Sequence, residues 1–255
     1  MCFEKTAAPT EVRSLRCQRS SLFSKNITMN LKKIQQYIAD YKKHLQSTRD
    51  FEEGYKWESL QNFQKNWDIE AADFRKMYDA SFQNSETRRL WKGDNFFPKE
   101  MMLKFIEMSP NFVRNMFRDL FNEKKDVENR ISRFQFCCDS LLGEYKSKFP
   151  LTIENRHFHL ENHMISMYLC FRFPVQYSLF EYPFFKQAMV NIGVTKLPTQ
   201  FDISRFFKVA RTLNTFLQKD QDLIILQKNK LRPQVHFMDS TLLLVNDFYI
   251  FIAIN

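Results

Sequence analysis

The stretch YKWESLQNFQKNWDIEAADF, residues 55–74, decides the fold class of this chain. Its aromatic residues form either a stacking surface for a base or a sugar, or the core of a helical domain. Leu60, Phe63 and Trp67 are three and four residues apart, so they lie on one face of a helix. This spacing favours the core, and we predict that Phe63 and Trp67 are buried. Asp68 is predicted to cap the next helix, since its carboxylate can accept from the free N–H groups of the first turn.

The same helical spacing recurs along the rest of the chain. Apolar residues of the segment after Met29 repeat at three- and four-residue intervals behind Asn30, a predicted N-cap. Pro98 and Pro110 are predicted to open helices, because a proline at the first helical position loses no hydrogen bond. Only 4 of the 255 residues are glycine, which argues against a many-stranded sheet with its tight turns. We predict a mainly α, multi-helix globular domain.

Three segments are expected within this fold. Residues 1–28 are predicted to be a disordered basic extension that resembles a transit peptide, unless Met29 is the true start. Residues 29–150 are predicted to form an N-terminal helical subdomain and residues 151–255 a C-terminal one. For the last segment, a helix capped by Asp239 competes with a strand, because β-branched and aromatic residues are frequent there.

Composition restricts the compartment and the class of partner. The formal net charge of +9 permits contact with nucleic acid without requiring it. The cysteine count of 5, with no CxxC pair, is typical of reduced, intracellular proteins. No apolar run approaches the roughly 20 residues of a membrane span. We therefore expect a cytoplasmic protein that does not associate with a membrane.

The sequence contains none of the common catalytic motifs. A P-loop, a dinucleotide-binding glycine fingerprint and a serine nucleophile elbow are all absent. His157, His159 and His163, with Glu161, have spacings that metal sites use, but they lack the HExxH pattern. They are more simply explained as a polar segment, so we expect no enzyme activity, no metal and no cofactor.

The strongest nucleic-acid candidate is a short basic and aromatic segment. Arg88, Arg89 and Lys92 surround Trp91. Arginine binds phosphate with two parallel hydrogen bonds, and tryptophan can stack on a base. In the alternative interpretation, Leu90 and Trp91 pack onto the core while the cations remain solvated.

Several ordered blocks resemble a known protein family. They are YKWESLQNFQKNWDIEAADFRKMYDAS, NFFPKEMMLKFIEMSPNFVRNMFRDLFNE, ENRISRF and ISMYLCFRFPVQYSLFEYPFFK. Together, from about residue 37 to about residue 251, they resemble the leader region of bacterial AAA+ proteins similar to McrB, the GTP-using motor subunit of modification-dependent restriction systems. The resemblance implies a region that recognises DNA or another target and works with the motor and a nuclease subunit.

The chain departs from this family in lacking the motor and its nucleotide-binding motifs. We therefore expect the neighbouring DNA to encode an AAA+ domain. The expected function is a non-catalytic recognition or adaptor domain of a McrB-like restriction or phage-defence system that contacts DNA. The alternative is a docking module for an AAA+ or nuclease partner that binds no nucleic acid.

Overall fold

The computed structural model describes residues 29–48, 51–83, 85–91, 93 and 95–255. Over these residues the fold is mainly α, as predicted, with twelve α-helices and no strand. The predicted extension 1–28 lies outside the described residues. The helices are α1 Leu31–Ser47, α2 Tyr55–Asn66, α3 Phe74–Ser81, α4 Ser85–Trp91, α5 Pro98–Met108, α6 Pro110–Leu120, α7 Val127–Lys148, α8 His163–Arg172, α9 Tyr182–Asn191, α10 Ile203–Leu217, α11 Gln221–Asn229 and α12 Leu243–Ile254.

The first helix begins where the sequence predicts, but the third does not. The side chain of Asn30 accepts from the backbone N–H of Lys33 at 3.2 Å. The predicted cap at Asp68 is wrong, because α3 begins only at Phe74. Asp73 caps that helix and accepts from the backbone N–H of Lys76 at 2.9 Å. Asp68 instead stabilises the preceding turn.

The chain ends in a helix, although its predicted cap is also wrong. Helix α12 begins at Leu243, and its N-cap is Leu242 rather than Asp239. Pairing with α9 and α10 covers its apolar sides. Burial on several sides explains why β-branched and aromatic residues are accepted in this helix. Within the described ranges, no helix is both long and apolar enough to cross a membrane.

One aromatic core joins the first two-thirds of the molecule. Around Phe117, a buried residue of α6, lie the rings of Trp67, Tyr78, Phe134 and Tyr168, all with centroids within about 6 Å. The apolar core continues across residue 150, since α1 packs on α11 and α12 and α2 packs on α8. The division at residue 150 stays a prediction.

Candidate functional sites

The predicted nucleic-acid segment forms helix α4, with its arginines outside and its tryptophan inside. Arg88 and Arg89 are exposed, whereas Trp91 is only 3% exposed. The guanidinium of Arg89 lies 3.8 Å from the centroid of the Tyr55 ring. The same guanidinium lies 3.1 Å from a carboxylate oxygen of Glu86. This arrangement matches the alternative in which the aromatic residue packs onto the core while the cations face solvent.

The placement of Trp91 restricts what this segment can do. Its ring belongs to the hydrophobic core and has no free face for a base in this conformation. Lys92 lies outside the described residues. The two arginines of the set can still bind phosphate, with Arg89 placed over the Tyr55 ring.

An apolar groove lies between the start of α9 and the connections before α8 and α10. Its volume is about 590 Å³. Three large apolar side chains line it while remaining exposed, namely Leu160 at 52%, Phe184 at 39% and Phe201 at 73%. We call this the aromatic groove. Large apolar side chains that gather around one concave surface mark interaction sites.

A second groove, of about 660 Å³, runs between α1 and α11. Its floor is apolar, but one end is closed by an ion pair between Lys42 and Asp220, at 2.8 Å. Asp220 also caps α11 by accepting from the backbone N–H of Leu223 at 3.0 Å. Lys42 and Asp220 therefore pair with each other and hold α1 against α11. Their role in this groove is structural.

A buried charged cluster lies at the contact of α2, the preceding 3₁₀ turn and α12. The ammonium of Lys56 is fully buried, 2.5 Å from a carboxylate oxygen of Glu53. Asp247 is also buried and accepts a hydrogen bond from the hydroxyl of Tyr41. Burial raises the pKa of Asp247 to about 6, while the Lys56 charge limits the rise. Burial acts to lower the pKa of Lys56, but Asp247 and Glu53 outweigh it and the pKa is raised.

The three histidines considered in the sequence do not form one site. His163 starts α8, and its ring contacts the carbonyl oxygens of Leu90 and Phe180. His157 and His159 lie together elsewhere, beside Cys138 of α7, with all three side chains buried. The cysteine that joins them is nineteen residues from His157 along the chain, so no short motif could show this cluster.

Comparison of the chain with family models, with curated proteins and with solved structures gives no match. The resemblance to the leader region of McrB-like proteins therefore stays a prediction.

Proposed function

We propose that this chain is a non-catalytic adaptor domain that docks on a protein partner through the aromatic groove. The observation that carries this proposal is the exposure of Leu160, Phe184 and Phe201 around one concave surface. Covering these side chains would remove apolar area from water, which is the main driving force of most protein association.

The partner that we propose is an AAA+ motor or the nuclease subunit that works with it. The family resemblance of the sequence blocks supports this choice. A leader domain that works beside a motor needs a surface for that motor, and aromatic anchors supply most of the binding energy of protein interfaces.

The test uses the AAA+ and nuclease proteins that we expect the neighbouring genes to encode. Titration calorimetry with the full chain is expected to show binding to one of them, and Phe201→Ser is expected to weaken it about 10- to 30-fold, the effect of losing an anchor. Phe112→Ser is the matched control, because Phe112 is 47% exposed at the start of α6, away from the groove. Equal losses in both variants, or no binding to either neighbour, would contradict the proposal.

Contact with DNA is the second candidate function, and α4 is the surface that favours it. Arg88 and Arg89 are adjacent and exposed, and Arg89 is held on the Tyr55 ring. Phosphate contacts from such side chains would anchor the chain without recognising bases.

Fluorescence anisotropy with a labelled DNA duplex at several salt concentrations tests this second candidate. Each lost phosphate contact lowers the slope of log affinity against log salt by about 0.9. The double variant Arg88→Gln/Arg89→Gln is expected to lower the slope by about 2. Arg75→Gln removes an exposed arginine from α3 and should leave the slope unchanged. If the unmodified chain shows no salt-dependent binding to the DNA duplex, the chain docks on a protein partner and does not contact DNA.

A further inference from the structure

Three buried side chains of residue types that can bind metals meet between α7 and the connection that follows it. Cys138 comes from α7, and His157 and His159 come from the connection before α8. One ligand atom from each lies within 4.8 Å of the others. A thiolate and two imidazoles are a ligand set that suits zinc.

The hydrogen bonds of His157 fix which of its ring nitrogens is free. Its Nε2 lies 3.0 Å from a carboxylate oxygen of Asp139, which can only accept, so Nε2 carries the proton. The lone pair is therefore on Nδ1, which accepts from the backbone N–H of His159 at 3.1 Å. A carboxylate on the far nitrogen is the partner that metal-binding histidines usually have.

His159 is fixed in the same way by a backbone carbonyl. Its Nδ1 lies 2.5 Å from the carbonyl oxygen of His157 and donates to it. The lone pair on Nε2 faces the hydroxyl of Tyr168 at 3.1 Å. Each imidazole thus carries its proton on one ring nitrogen and its lone pair on the other, and both lone pairs make 3.1 Å contacts that a cation would replace.

Zinc binding would draw the three ligand atoms closer together. Tetrahedral zinc ligands lie roughly 2.0–2.3 Å from the ion and so roughly 3.5 Å from one another. Both histidines belong to a connection and not to a helix, so they can make this movement without disturbing a helical hydrogen-bond ladder. The Asp139 side chain, which contacts His157, is 58% exposed.

We propose that Cys138, His157 and His159 bind a zinc ion that ties α7 to the connection before α8, with Asp139 as the positioning residue for His157. Three protein ligands leave the fourth tetrahedral position for a water molecule. This inference is independent of the docking and DNA functions proposed above.

The test uses the full chain, purified in reductant without a histidine tag, with metal content measured by mass spectrometry. We expect about one zinc per chain, as a specific site binds. Cys138→Ser should remove it, and Cys137→Ser is the matched control, because Cys137 is the neighbouring, half-buried cysteine outside the cluster. With cobalt in place of zinc, the unmodified chain and Cys137→Ser should both show thiolate-to-cobalt absorption in the near ultraviolet.

A second variant keeps the test decisive if Cys138→Ser does not fold. Asp139→Asn alters only the partner of His157 and should weaken zinc affinity about 10- to 100-fold in a chelator competition. Zinc should also raise the melting temperature of the unmodified chain, because an ion that binds only the folded state stabilises it. An unmodified chain with no zinc, no cobalt absorption and no rise in melting temperature would overturn the proposal, as would a folded Cys138→Ser variant that keeps its metal.

Discussion

The ring of Trp67 stacks on the ring of Phe63, with 4.8 Å between their centroids and 18° between their planes. Phe63 is buried, whereas Trp67, at the end of α2, is half-buried. The stack therefore closes the edge of the core. The opening stretch of sequence forms core packing and not a free stacking platform, with the burial of Phe63 confirmed and that of Trp67 only partial.

This difference in burial predicts unequal costs of truncation. Phe63→Ala should lower the free energy of unfolding by about 3–5 kcal/mol, as fully buried aromatic truncations do. Trp67→Ala should cost less, about 2 kcal/mol, because part of its ring already faces water. Urea unfolding measures both, with the exposed Phe112 changed to Ala as the control. A larger loss for Trp67→Ala than for Phe63→Ala would contradict this order.

The cap of α3 gives a second prediction that separates two nearby aspartates. Asp73→Ala should cost about 1 kcal/mol, since it removes the acceptor of the Lys76 N–H at the start of the helix. Asp68→Ala should cost less, because Asp68 accepts only from Glu70 within a turn. Denaturation of the two variants under the same conditions provides the comparison. Equal costs would show that the turn contributes as much as the cap.

The three- and four-residue spacing of apolar residues predicted most of the fold, because the buried face of a helix is set by neighbours at these distances along the chain. The core positions of α1, the prolines that open α5 and α6, and the cap at Asn30 all follow from such local chemistry. The errors at Asp68 and Asp239 arose where several acidic or polar residues precede a helix. Tertiary packing decides at which residue the helix begins, and this decides which of the acidic or polar residues becomes its cap. The sequence alone does not show where packing places the start.

The buried charges and the Cys–His cluster depend on contacts between distant segments. Lys56 lies four residues before Leu60, on the same apolar face of α2, and this spacing was a signal that a charge is buried there. Asp247 within an apolar run was a second signal. Lys56 and Asp247 are nearly two hundred positions apart in the sequence, so their proximity could not be predicted from either signal. Cys138 approaches the histidines only because the connection after α7 turns back along that helix, so no local pattern could have revealed the cluster.

The buried ammonium of Lys56 gives a third prediction. Lys56→Met would remove the ion-pair partner of Glu53 and the nearby positive charge that favours ionised Asp247. Breaking a buried ion pair costs about 3–5 kcal/mol. The double variant Lys56→Met/Asp247→Asn should recover part of the loss, with a coupling of about 0.5–3 kcal/mol between the two sites. Lys65→Met, at an exposed position of the same helix, is the control. Additive losses in chemical denaturation would show that Lys56 and Asp247 do not interact.

The last prediction concerns pH and follows from Asp247. Burial raises the pKa of its carboxyl from 3.8 to about 6, and Glu53 and Glu181 act in the same direction while Lys56 and the Tyr41 hydroxyl oppose it. In the window between these two pKa values, the folded chain keeps a proton that the unfolded chain releases. Ionised Asp247 therefore lowers the free energy of unfolding by about 3 kcal/mol above pH 7, and this cost disappears as the pH falls through 6 towards 4.

Asp247→Asn removes this titration while keeping the shape of the side chain. The variant's free energy of unfolding, minus that of the unmodified chain, should rise by about 2.5 kcal/mol between pH 4 and pH 7. Comparing the two proteins cancels the pH-dependent contributions of all the titratable groups that they share. Urea unfolding at unit pH steps measures the difference. A difference that stays flat or falls with rising pH would mean that Asp247 is ionised in the folded protein at ordinary carboxylate pH values, with Lys56 fully compensating its burial.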